Sequence, residues 1–165
     1  MKKIAIIILS VFLLTGCGSM SSVENQIEQT TPKITLESSP STKIKPSRTD
    51  FSWNGAQTKA YFPAPQDFLN GKKLVQTNNT DKVQITIQPK VRTGIINTTH
   101  LKAITLEMVP KSGEDFLPID VKELESGTWQ YDVPADVGKY MYILKESYDD
   151  DGYYVTYYFG LEITE

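Results

Sequence analysis

One cysteine, Cys17, and one histidine, His100, occur among the 165 residues of this chain. Without a second cysteine there can be no internal disulfide, so any folded part must be held by packing alone. A Ser-His-Asp arrangement would have to be built on His100. That residue closes Asn97-Thr98-Thr99-His100 with no nucleophile-elbow sequence beside it, and a loop-end or surface histidine accounts for it. Long apolar runs are also missing: the best, Ile4 to Leu14, covers about 11 residues where a membrane-spanning helix needs about 20. Basic residues are outnumbered, 17 Lys and Arg against 20 Asp and Glu for a net charge of −3. No basic stripe with interleaved aromatics occurs, so nucleic acid is not an expected partner.

What is present begins at the N-terminus. Lys2 and Lys3 precede the apolar run, and Leu14-Thr15-Gly16-Cys17 follows it. This resembles the bacterial lipoprotein signal, whose lipobox ends in a cysteine that is diacylated on sulfur and becomes the first residue after cleavage. The resemblance implies that residues 1–16 are a signal peptide. It further implies that Cys17 carries a covalent diacylglycerol with palmitate-type chains, and that the product sits on the extracytoplasmic face of a cell membrane. Loss of Lys2 and Lys3 with no acid makes the mature chain more negative still. An acylated Cys17 is neither nucleophile nor metal ligand. One histidine then leaves only carboxylates as further ligands, so no zinc site and no cofactor are expected.

Residues 17–50 read as the lipidated cysteine and a linker. From Gly18 to Asp50 the sequence is rich in Ser, Thr, Pro, Lys and Gln and holds no aromatic residue. Such a segment buries too little apolar surface to offset its ordering entropy. As a tether it would reach about 30 Å r.m.s. and about 100 Å at full extension. The alternative is that Pro32 to Leu36 docks as an edge strand. Residues 51–165 form the expected single domain, close to the commonest domain size.

Short segments of period-two alternation dominate that domain: Lys82 to Gln88, Leu101 to Val109, Thr128 to Val133, Gly138 to Lys145 and Tyr153 to Thr164. Weaker candidates lie near Gln57 to Tyr61, Lys73 to Thr77 and Leu117 to Lys122. The expectation is an all-β, antiparallel immunoglobulin-like sandwich of about 7–8 strands after a disordered tether. Asp136-Val137-Gly138-Lys139-Tyr140 resembles the D-x-G-x-Y tyrosine corner of immunoglobulin-like domains, in which the tyrosine hydroxyl bonds back to the backbone. The run Asp149-Asp150-Asp151-Gly152 marks a hairpin. A two-residue turn at Asp151-Gly152 would set Tyr142 against Leu161, whereas a four-residue loop changes the partners and keeps the faces. Either way Tyr140, Tyr142, Leu144, Val155, Tyr157, Phe159, Leu161 and Ile163 point inward. From Phe51-Ser52-Trp53-Asn54 through Phe62-Pro63-Ala64-Pro65 to the closing hairpin, the order of features resembles small lipoproteins of Gram-positive Bacillota with no assigned activity. That likeness and the lysine-rich spacer imply a Gram-positive host and supply no catalytic residues.

Candidate functional residues follow from the same pattern. Met141, Ile143, Tyr154 and Tyr158 fall on the face opposite the expected core, where a solvated sheet would carry polar side chains. An apolar, tyrosine-rich face suits contact with an envelope protein or a cell-wall component. Asp149, Asp150 and Asp151 offer oxygen atoms to Ca²⁺, but without the EF-hand spacing a solvated turn is the plainer reading. Asn78-Asn79-Thr80 and Asn97-Thr98-Thr99 read as turn chemistry. No catalytic residue is expected. The alternative is an envelope hydrolase or hydrolase inhibitor, working through paired acids at Glu114-Asp115 or Glu123/Glu125, or through the Lys111 to Phe116 loop.

Overall fold

The computed structural model describes residues 33–36, 42–53, 56–58, 63–71, 73–87, 101–110, 115–148 and 152–165. Twelve strands and one short helix occur among them. In chain order they are β1 (Lys33–Leu36), β2 (Lys43–Ile44), β3 (Ser47–Trp53), β4 (Ala56–Thr58), α1 (Pro65–Asn70), β5 (Val75–Asn78), β6 (Lys82–Thr86), β7 (Leu101–Pro110), β8 (Leu117–Ile119), β9 (Lys122–Glu125), β10 (Thr128–Asp132), β11 (Gly138–Tyr148) and β12 (Tyr154–Thr164). A small sheet runs in the order β2-β1-β6-β10-β9. A larger one runs β4-β3-β12-β11-β7-β8, and β5 joins it as a parallel partner to the last residues of β12. Every other pairing is antiparallel, giving an all-β sandwich.

Alternation decides which side of each strand is buried. In β6, Val83 and Ile85 are buried between half-exposed Gln84 and Thr86; in β10, Trp129 and Tyr131 turn the same way. They meet the inner face of the larger sheet, where Tyr142, Leu144, Phe159 and Leu161 are at most 2% exposed. All eight residues expected to point inward do so. Tyr142 and Phe159 stack at 5.0 Å, an aromatic pair worth about 1 kcal/mol beyond its area. The β11–β12 turn is the four-residue loop: Tyr142 pairs with Phe159 and Leu144 with Tyr157, and the Tyr148 amide donates to the Tyr153 carbonyl. The Tyr140 hydroxyl donates to the Asp136 carbonyl at 2.9 Å, the bond that the D-x-G-x-Y motif predicts.

Two expectations need correction. The folded part does not begin at Phe51, since β1, β2 and the first residues of β3 all precede it. Nor is β1 an edge strand, because it lies between β2 and β6 with Ile34 fully buried opposite Ile85. Composition misleads here because a strand added to an existing sheet needs few apolar side chains of its own. Its amides and carbonyls are satisfied by its neighbours, and Ile34 and Ile44 suffice to seal the core. The strand count also exceeds seven or eight, since β1, β2 and most of β3 lie in the segment read as linker and the candidate at Leu117 to Lys122 divides into β8 and the start of a separate β9.

Helix α1 was not anticipated. Pro65 opens it, where a missing amide hydrogen is no loss, and Phe68 and Leu69 turn onto the outer face of the larger sheet. Its seat is Gly160: a Cβ there would lie 2.8 Å from Leu74 Cδ2 and 3.1 Å from Phe68 Cε1. Glycine leaves room for those side-chain ends, which a Cβ would force to shift.

A groove on the outer face of the larger sheet

Register arranges the outer face in rows. Glu107, Ile143 and Tyr158 lie side by side across β7, β11 and β12; the next row is Thr105, Lys145 and Thr156. Beyond them come Val109, Met141 and Gly160 on one side and Ala103, Ser147 and Tyr154 on the other. Residues Met141, Ile143, Tyr154 and Tyr158 therefore do share the face opposite the core. They do not form an open apolar patch, however. Phe68, Leu69 and Leu74 cover Met141 and Ile143, leaving them 1% and 8% exposed. Tyr158 packs edge-on against Phe68 with ring centroids 4.7 Å apart. The helix thus fills from within the chain much of the surface that the sequence assigned to a partner.

What stays exposed in the two middle rows of this face is Thr105, Glu107 and Lys145. Thr105, Glu107, Phe116, Ile143, Lys145 and Thr156 line a groove of about 520 Å³. Its floor is two rows deep on three adjacent strands, and Phe116, just before β8, rises beside it at 52% exposure. The Lys145 ammonium lies 4.7 Å from the Tyr154 ring centroid, a cation–π contact that holds the lysine along the floor. Partial burial, then the Asp50 carboxylate beside it, raises the Tyr154 hydroxyl above the ordinary tyrosine range.

No known protein family, curated protein or solved structure matches this chain. The bulge at Leu124 sets Glu123 in register with Trp129 and Glu125 with Thr128, which are adjacent residues on opposite faces of β10. The two carboxylates accordingly do not share a face. Asp115 is exposed, and its neighbour Glu114 lies outside the described residues, as do Lys111, Cys17, His100, Asn97-Thr98-Thr99 and Asp149, Asp150 and Asp151. Among the described residues no group of three or more His, Cys, Asp or Glu could hold a metal ion, and no helix is long and apolar enough to cross a membrane. Asn78-Asn79-Thr80 forms the β5–β6 turn, where Asp81 accepts hydrogen bonds from the Thr77 hydroxyl at 2.6 Å and the Asn78 amide at 3.1 Å.

One chemically notable residue escaped the sequence reading. Glu146 faces inward on β11, paired across the strands with Ile104 and Val155, and is fully buried. The Tyr148 hydroxyl donates to its Oε2 at 2.6 Å, while Oε1 has no hydrogen-bond partner. Burial pushes the carboxyl up to about 8, against a small downward pull from the Tyr148 bond. The signal was available, because the alternation that sends Tyr140, Tyr142 and Leu144 inward also sends Glu146 and Tyr148.

Proposed function

We propose that this protein is a lipid-anchored, extracytoplasmic, non-catalytic binding module that engages an envelope component through the groove on its larger sheet. The observation that carries the reading is the groove itself. Its volume falls in the range of small-ligand sites, and it combines an exposed aromatic with hydroxyl, carboxylate and ammonium groups on a rigid sheet. The lipobox sequence supports the anchor at Cys17 and the membrane location. With β1 starting at Lys33, the 15 or so residues after Cys17 can span at most about 50 Å, which confines the module near the membrane and raises its effective concentration toward partners there.

Two measurements test this. Cys17→Ser should abolish incorporation of a labelled palmitate and move the protein from the membrane to the soluble fraction; a variant still membrane-bound would remove the anchor. A photoreactive residue at Thr105 on the groove floor should crosslink a specific envelope component, while the same residue at Lys82 on the small sheet should not. Equal or absent crosslinking at both positions would remove the groove as the site.

A further inference from the structure

Which envelope chemistry the groove fits can be narrowed, given the reading above that the groove is the binding site. Strands β7, β11 and β12, which form its floor, are all interior: β7 lies between β8 and β11, β11 between β7 and β12, and β12 between β11 and β3 with β5. The backbone of β11 and β12 is spent in the sheet on both sides and β8 covers β7 at Leu106, Glu107 and Met108, so among the described residues main-chain pairing with a peptide is left only to the ends of β7. Recognition here falls to side chains. Four of the six lining residues are polar, and three of them are exposed: the Thr105 hydroxyl, which both donates and accepts, the Glu107 carboxylate and the Lys145 ammonium, while Thr156 is buried. A ligand rich in hydroxyls, each also donor and acceptor, answers that mixture, whereas a lipid chain would leave those groups unpaired.

Charge and shape point the same way. Glu107 and Lys145 balance, so the floor selects neither a polyanion nor a polycation. Phe116 is 52% exposed beside the floor, and the negative quadrupole of an aromatic ring attracts the polarised C–H groups on the flat side of a sugar ring. Three strands about 4.8 Å apart and two rows about 7 Å apart give a floor of roughly 10 by 7 Å, wide enough for one or two six-membered rings lying flat. We infer that the groove over Thr105, Glu107, Ile143, Lys145 and Thr156, walled by Phe116, binds a neutral oligosaccharide.

The test is a titration of the full lipidated chain in detergent micelles, with ¹³C-methyl-labelled threonine and isoleucine, against cellotetraose, chitotetraose and the anionic tetragalacturonate. At least one neutral tetrasaccharide should shift the Thr105, Thr156 and Ile143 methyl resonances saturably, with a Kd of about 1 mM or tighter. Phe116→Ala should weaken that binding about tenfold at an unchanged melting temperature, and Glu107→Gln should weaken it several-fold, as loss of a charge-assisted acceptor does. No groove shift with either neutral sugar, shifts indifferent to Phe116→Ala, or tighter binding of the anionic sugar would each overturn the inference. A protein crosslinked at Thr105 with no sugar-induced shift would leave the binding module standing and remove the oligosaccharide; failure of both experiments would remove both.

Discussion

Replacing Glu146 with glutamine should flatten the dependence of stability on pH. The unfolded carboxyl titrates near 4.5, whereas burial holds the folded one up to about 8. Between those values the folded chain keeps a proton that the unfolded chain releases, so stability falls as pH rises through that window. Each unit of separation is worth 1.36 kcal/mol, so at pH 7 the penalty relative to acid is about 3 kcal/mol, growing to about 5 kcal/mol above pH 8. Glutamine cannot ionise and still accepts from the Tyr148 hydroxyl, but its amide nitrogen takes up an unpaired buried position at a cost of about 1–3 kcal/mol. The variant should therefore match or fall below the parent near pH 4.5 and exceed it by a few kcal/mol at pH 9, with the two curves crossing between. Urea unfolding of both proteins across that range measures it. Parallel curves, with a constant difference at every pH, would show that Glu146 is as readily ionised in the fold as in water, and would refute the argument.

Three further outcomes follow from named contacts. Ile34→Ser should destabilise the fold by about 2–4 kcal/mol in chemical denaturation, because Ile34 is fully buried; a change under half a kcal/mol would return residues 33–36 to the tether. Gly160→Val should lift α1 from the sheet, destabilise by about 1–3 kcal/mol and speed hydrogen exchange in residues 65–71, while exchange in β6 and β10 changes less. Tyr140→Phe, which removes the bond to the Asp136 carbonyl and nothing else, should cost about 1 kcal/mol in the same denaturation assay.

The inner face of the closing hairpin was legible because alternation over eleven residues leaves one consistent assignment, and because Asp136 to Tyr140 carries its own local hydrogen bond. The outer face was legible only as a face. What covers it depends on Phe68 and Leu69, which lie about 70 residues before β11 in the sequence and close on position 160, where there is no side chain in the way. No window of local sequence contains that contact. Residues 33–50 were misread for a related reason: their order comes from hydrogen bonds lent by β6 and β12, and composition does not count these. Glu146 lies two residues beyond Leu144 on the same period of β11, so its inward direction is legible in the alternation as well. The groove required the fold, since its six lining residues come from four separate parts of the chain.

Two of the outermost strands are poorly suited to pairing between copies of the chain. Strand β8 is three residues long and contains Pro118, which has no amide hydrogen to offer a neighbour. On the other sheet, β9 reads Lys-Glu-Leu-Glu, is exposed throughout and is bent by its bulge. Stacking two copies edge to edge there with Leu124 against Leu124 would bring Glu123 of one against Glu125 of the other. Like charges directly opposite one another repel. Edges of this kind keep encounters between copies of the chain from growing into fibrils.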